Sequence, residues 1–217
     1  MSFNSLYTFL RDLQNNNNKE WMNAHHETYH QNRDFLIAWL EEMNLKLAEI
    51  DKNYFNTPGK NAINRINNNL MFHPNKPIYK DHFGAGLDQV SKQGDFYLQF
   101  GVFETFIGGG YWHPSSKVLR SIREAIDYDG EELKHILSKK SFKEMFGSLV
   151  KDDPLKTAPK GFSQEHRHID LLRRKSFAVV RPFTLEEVME DEFEAKVIAT
   201  YREMLPFRRY LNKAVTV

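Results

Sequence analysis

Hydrophobic positions recur at helical spacing near the start of the chain and alternate with polar ones farther on. Over 19–50 the apolar residues repeat at helical intervals without Gly or Pro, which predicts a long helix. The same spacing predicts a first helix capped by Ser5 and stopped by the asparagines at 15–18. Over 96–102 apolar and polar residues alternate, as in a half-buried strand that forms a hairpin with a strand over 84–90.

The second half of the sequence predicts further helices around the same sheet. We expect Gly108–Gly110 to end a third strand, and a later strand to cover 176–181. A helix should run over 192–204, stop before Pro206 and be followed by a short helix over 207–214. The predicted fold class is α+β: an antiparallel sheet with a long N-terminal helix and several flanking and C-terminal helices, in a single domain over 1–217.

Composition excludes several kinds of site. The chain of 217 residues is 41% hydrophobic and 27% charged, typical of a folded protein, and its 17 Phe and 9 Tyr favour an aromatic core over an aromatic pocket. The absence of Cys excludes disulfides, thiol nucleophiles and cysteine-based zinc or iron–sulfur sites. No apolar stretch approaches the length of a membrane span, and no signal peptide is recognised. We therefore expect a cytoplasmic protein of bacterial type with no membrane partner.

Positive charge is concentrated in one part of the chain. The formal net charge is +1, but the stretch 134–181 carries 12 Lys and Arg against five acids, which leaves −6 for the rest. Such a stretch could form a basic surface for nucleic acid or for a protein partner, or it could be a solvated face.

The stretch 65–86 contains the candidate site, because it concentrates basic and aromatic residues without a regular period. Arg65, Lys76, Lys80 and His82 are potential anion ligands, and Tyr79 offers a hydroxyl on an aromatic ring. The prediction is a basic, aromatic-lined pocket for a small anion bearing a phosphate or a carboxylate. The alternative is structural: Arg65 and one lysine could pair with acids of the long helix, such as Glu41, Glu42 or Glu49, while the other cations are solvated.

This stretch resembles the signature of a widespread bacterial family of uncharacterised proteins, the DUF2461 (TIGR02453) family, approximately R-x-x-R-D-x-R-F-x-x-x-[DN]-K-x-x-Y. Further resemblance covers most of the chain. The matching segments are Arg65, Phe72, Asn75, Lys76 and Tyr79 in the signature, with Lys80 after it, then Trp21–His25, Gly108–Pro114, Lys156–Phe162 and Arg174–Phe177. The resemblance implies family membership and no particular activity.

The chain departs from this signature at three positions. Asn68 and Asn69 stand where the family usually has Arg-Asp, and Met71 stands in place of a further Arg. If the missing charges were catalytic, this member is inactive or altered. If they formed structural ion pairs, amide hydrogen bonds and Met packing could replace them.

Other residues could complete the pocket. We expect Trp112 to add to its wall and Arg123 or Lys160 to close it, and His82 or His113 would be the first candidates for a catalytic base. Whether the protein is an enzyme stays open, since no nucleophile elbow, kinase set or paired-carboxylate pattern is recognised, and no cofactor is implied. His26 and His30 have metal-ligand spacing but no third ligand, so no metal site is predicted.

Overall fold

The computed structural model describes residues 1–91 and 93–216. Nine helices and four strands are found within these residues. In chain order they are α1 (Phe3–Asn15), α2 (Lys19–Ala24), α3 (His26–Ala48), α4 (Gly59–Ala62), β1 (His82–Leu87), β2 (Phe96–Gly101), β3 (Thr105–Tyr111), α5 (Ser116–Ser138), α6 (Lys140–Phe146), α7 (Ile169–Leu172), β4 (Phe177–Phe183), α8 (Leu185–Met189) and α9 (Phe193–Ala214).

The four strands form one antiparallel sheet in the order β1-β2-β3-β4. Each strand therefore pairs with the next one along the chain, as in the predicted hairpin. The long helix α3 precedes the sheet, and further helices flank and follow it. The predicted α+β fold class is confirmed.

The residues group into two compact units. The first contains Met1–Gln89, Tyr97–Ile107 and Pro182–Ile198, and the second contains Val90–Phe96, Gly108–Arg181 and Ala199–Val217. The single domain over 1–217 stays a prediction.

Local signals explain how the N-terminal helices begin and end. Ser2, and not Ser5, caps α1, because Ser2 Oγ accepts a hydrogen bond from Ser5 N at 3.3 Å. Asn18 caps α2 in the same way, accepting from Trp21 N at 2.8 Å. The long helix predicted over 19–50 is interrupted at His25, whose backbone leaves the helical region between α2 and α3.

The glycines at the end of β3 do not stop the strand, contrary to the prediction. The strand continues through Gly110 to Tyr111. Gly110 has φ +103°, and a Cβ there would lie 2.3 Å from the carbonyl oxygen of Phe177. The glycine therefore allows close approach between neighbouring backbones, a tertiary requirement that local sequence does not reveal.

Helix α9 continues through Pro206, so the predicted break into two helices is wrong. Tyr201, Met204, Phe207 and Leu211 lie on both sides of the proline, and each is fully buried. Burial of this apolar face offsets the cost of about 3 kcal/mol that an interior proline imposes on a helix.

Candidate functional site

The signature segment folds as an antiparallel ribbon that leads into β1. The short helix α4 comes first, and 63–68 then runs beside 78–85. Asn64 N donates to the Gly84 carbonyl at 2.7 Å, and Lys80 N donates to the Ile66 carbonyl at 2.8 Å. The loop 69–77 joins the two arms. Lys76 lies near the end of this loop, and Lys80 lies in the returning arm, 78–85.

Asn17 anchors the returning arm to the N-terminal helices. Its side-chain oxygen accepts from Tyr79 N at 2.9 Å, and its amide nitrogen donates to the Tyr79 carbonyl at 3.0 Å. A bridge to Asn67 holds Tyr79 from the other arm. The backbone of Tyr79 is therefore fixed on both sides, and its side chain is buried.

Four of the predicted site residues line one cleft of about 360 Å³ in the first unit. These residues are Lys76, Tyr79, Lys80 and His82. The remaining walls come from Gln14, Asn17, Asn68, Pro77, Asp81 and Phe103. The cleft thus combines ammonium groups with amides and aromatic rings, which suits recognition of an anion that also has polar or flat parts.

Arg65 does not line this cleft but acts on it from beside Lys80. Its main-chain carbonyl accepts a hydrogen bond from Lys80 Nζ at 2.7 Å. Burial, and then the charges of Arg65 and Lys76, lower the pKa of Lys80 below its ordinary value. The fold therefore holds three like charges close enough to repel.

Among the described residues, the acidic partners that the structural alternative requires are not found beside these cations. Over residues 1–91 and 93–216, no carboxylate lies within 4 Å of the side-chain nitrogens of Arg65, Lys76 or Lys80. Glu41, one of the acids proposed for them, instead accepts from Gly59 N at 2.7 Å. The described structure thus gives no support to the ion-pair explanation for these three residues.

His82 is paired with the acid that precedes it. His82 Nδ1 lies 2.9 Å from Asp81 Oδ1, and both side chains are partly exposed. When the carboxylate accepts from Nδ1–H, the neutral imidazole presents Nε2 as a proton acceptor. His113, the other candidate base, is exposed, and its backbone N–H donates to Ser176 Oγ at 3.0 Å.

The other three predicted site residues belong to the second unit. Trp112 is 58% exposed, and Lys160 is exposed in the loop before Gly161. The guanidinium of Arg123 donates to the carbonyls of Leu172 and Arg174 at 2.8 and 3.0 Å. Burial lowers the pKa of Arg123. These backbone contacts give Arg123 a structural role, and a ligand role for these residues stays a prediction.

A second resembling segment, Arg174–Phe177, also has a structural explanation. The side chain of Asp152 is 1% exposed, and its Oδ2 accepts from Lys175 N at 2.8 Å and Ser176 N at 2.7 Å. Arg174 lies 3.4 Å from the other carboxylate oxygen. This carboxylate fixes the chain just before β4.

The basic stretch 134–181 is partly neutralised in the fold. Lys139 pairs at 2.9 Å with Glu203, an acid from outside the stretch. Lys134 and Lys140 each have a carboxylate at 3.7 Å. Glu203 therefore offsets one of the excess positive charges of the stretch, whereas Asp170 and Glu144 are already among its five acids.

Sequence reasoning missed several residues of the cleft. The sequence predicted only a helix stop at Asn17. Phe103 lies in the turn after β2 and belongs to no recognised motif. Asp81 could have been found from its position next to His82. Asn17 precedes its partner Tyr79 by 62 positions, and such a contact leaves no local pattern.

Neither a metal-ligand cluster nor a helix able to span a membrane occurs within residues 1–91 and 93–216. Within that part of the chain, no three His, Asp or Glu side chains are grouped as a metal site requires. No helix there has the length and apolar character needed to cross a membrane.

The comparisons with known proteins give one result. No curated protein and no solved structure matches the chain. A family model described as a conserved hypothetical protein, DUF2461, matches residues 5–210. Because this match covers nearly the whole sequence, including the ribbon and its cleft, the chain belongs to the DUF2461 family of conserved hypothetical proteins.

Proposed function

We propose that the cleft beside the signature ribbon binds a small anionic ligand through a phosphate or carboxylate group. The observation that carries the proposal is that Lys76 and Lys80 line one cleft while no carboxylate lies within 4 Å of either among the described residues. Lys76 is exposed and Lys80 is half-buried, so both ammonium groups are placed to reach a ligand.

Electrostatics supports the same proposal. The lowered pKa of Lys80 means that its charged form is disfavoured by burial and by Arg65 and Lys76. An anion in the cleft would offset this repulsion and favour the charged form. Asp81 also lines the cleft, but its carboxylate is engaged by His82.

A reaction at this site would use the same groups. Lys76 and Lys80 would stabilise charge developing on a phosphoryl or carboxyl oxygen. His82, oriented by Asp81, is favoured over His113 as the base, because its acidic partner and its place in the cleft are both given by the fold.

The test is ligand-dependent thermal stability and calorimetric titration with phosphate, pyrophosphate and citrate. Binding to the native state raises the melting temperature by mass action, so the wild type should be stabilised in proportion to ligand concentration. Lys76→Gln and Lys80→Gln should each lose this effect. Lys52→Gln, at an exposed lysine that does not line the cleft, is the matched control. Equal stabilisation of all four proteins would refute the cleft as the site.

Two alternatives predict different results. A nucleic-acid or protein interaction module that uses 134–181 predicts binding to DNA or RNA that weakens steeply with salt. The pairing of Lys139 with Glu203, an acid from outside this stretch, counts against it. If the signature is purely structural, no anion should bind and substitutions in it should act only on stability.

A further inference from the structure

A second cleft shares a wall with the proposed anion-binding cleft beside the signature ribbon, called here the anion cleft. Its volume is about 300 Å³, and it is lined by Gln99, Gly101 and Glu104. Asp81, His82 and Phe103 line both clefts. One side of this wall is therefore basic, with Lys76 and Lys80, and the other side offers hydrogen-bonding side chains and a carboxylate.

Phe103 is a large apolar side chain at the shared wall, yet it is 77% exposed. It lies in the short turn between β2 and β3 and contributes little to the core. An exposed ring costs the fold hydration free energy, but it offers a flat surface on which a planar group can stack. Phe103 is thus suited to the part of a ligand that is aromatic.

The second cleft also has a defined hydrogen-bonding edge. Gln99 Nε2 donates to Glu104 Oε1 at 3.1 Å, which orients the exposed carboxylate. A carboxylate accepts two hydrogen bonds side by side, so it matches a planar ring with adjacent N–H donors. Gly101 lets the wall residues approach closely, since a Cβ there would lie 2.8 Å from the Glu104 carbonyl oxygen and 3.0 Å from His82 Cβ.

We propose that the ligand is a nucleoside phosphate whose base presents adjacent N–H donors, as guanine does. This inference rests on the proposed anion site and adds the ligand's other end. The phosphate would lie between Lys76 and Lys80, the base would stack on Phe103, and Glu104 would accept from its N–H edge. Each cleft has about the volume at which small-molecule sites begin, roughly 300 Å³.

The experiment is calorimetric titration of the wild-type protein with inorganic phosphate, ribose 5-phosphate, AMP and GMP. GMP should bind at least about fivefold more tightly than ribose 5-phosphate, because stacking on an aromatic side chain contributes at least that factor per base. AMP should lie between the two, since it stacks but lacks the paired N–H donors.

Three variants assign the contacts. Phe103→Ala should reduce AMP affinity to that of ribose 5-phosphate, lower GMP affinity by a similar factor and leave phosphate binding unchanged. Glu104→Gln should remove the preference for GMP over AMP. Phe55→Ala, at an exposed phenylalanine that lines neither cleft, should change nothing.

The outcomes separate this inference from the anion site. If phosphate binds through Lys76 and Lys80 but neither nucleotide exceeds ribose 5-phosphate, the nucleoside inference is overturned and the anion site stands. If phosphate does not bind at all, both fail. Equal affinity for AMP and GMP would overturn the assignment of Glu104. Binding of a short single-stranded RNA far more tightly than GMP would replace the mononucleotide with a polymer and overturn the inference.

Discussion

Lys80 Nζ donates a hydrogen bond to the main-chain carbonyl of Arg65 at 2.7 Å. The bond joins the two arms of the signature ribbon, so Lys80 helps to close the structure that carries it. The same ammonium lines the anion cleft and is disfavoured there by burial and by two neighbouring cations. If the cleft binds an anion as proposed, this one side chain links the stability of the ribbon to ligand binding.

Replacing each lysine with Met should separate these two roles. Lys80→Met removes a hydrogen bond from a charged donor, so we expect the free energy of unfolding to fall by about 1–2 kcal/mol. Lys76→Met should leave it unchanged or raise it, because Lys76 is exposed and contributes mainly repulsion. Urea denaturation without ligand measures both values. A loss of about 3–5 kcal/mol for Lys76→Met would instead indicate that Lys76 belongs to a buried ion pair and that the signature has a structural role.

The pH dependence of anion binding should report the lowered pKa of Lys80. A lysine in water titrates near 10.5, and Lys80 loses its proton below that pH. Anion affinity should therefore begin to fall at a lower pH than an ordinary lysine would give. Calorimetric titration from neutral pH to 10.5 measures this fall.

The same group has the opposite effect on the stability of the unliganded protein. Between the folded pKa of Lys80 and 10.5, the unfolded chain binds a proton that the folded chain does not. The free energy of unfolding contributed by this group therefore rises with pH across that window. Lys80→Arg is the control for both pH effects, because arginine stays charged across this pH range. If the anion affinity of Lys80→Arg still falls at a lower pH than an ordinary lysine would give, another group titrates.

Restoring a family charge at Asn68 should strengthen the cleft. Asn68 lines it and stands where the family usually has Arg, and its amide donates to the Pro77 carbonyl at 2.9 Å. In Asn68→Arg a guanidinium would add a bidentate donor, so we expect phosphate affinity to rise about tenfold. Met71→Arg is the comparison, because Met71 is 80% exposed and does not line the cleft. Equal gains for both variants would indicate a general charge effect.

The parts of the fold that follow from short-range patterns were predictable. The capping box of Thr184 and Glu187 and the cap at Asn18 each depend on residues three positions apart. The continuation of β3 through Gly110 and of α9 through Pro206 was not, because packing against residues far along the chain decides both. At these two positions, tertiary packing outweighs the local tendency of Gly to end a strand and of Pro to end a helix.

The candidate site divides in the same way. Lys76, Tyr79, Lys80 and His82 were found because one stretch concentrates their chemistry, and the cleft brings them together. Phe103 comes from the turn between β2 and β3 and carries no motif. A pocket wall contributed by a distant turn becomes visible only when the sheet has been formed.

Asp152 should be one of the main stabilising side chains of the second unit. It is almost fully buried and accepts from two backbone amides while facing Arg174. Asp152→Ala would leave these donors without their acceptor, so we expect a loss of about 3 kcal/mol in the free energy of unfolding. Asp153→Ala, at the exposed neighbour, should have little effect. Equal small effects in chemical denaturation would contradict the assigned role.

Tyr7 should make the protein sensitive to alkali. Its hydroxyl is hydrogen-bonded to Thr105 Oγ1 in the core, and burial raises its pKa from 10.0 to about 12. Between pH 10.0 and about 12 the folded state keeps this proton, whereas the unfolded chain loses it. The stabilisation is therefore complete below pH 10.0 and is lost as the pH rises to about 12. The loss should reach about 3 kcal/mol, at 1.36 kcal/mol per pKa unit.

Tyr7→Phe should reduce this alkaline loss in urea denaturation at increasing pH, at a cost of about 1 kcal/mol near neutrality from the lost hydrogen bond. Tyr210→Phe tests the other tyrosine whose pKa is raised to about 12, and an unchanged alkaline loss in Tyr7→Phe would assign the effect elsewhere.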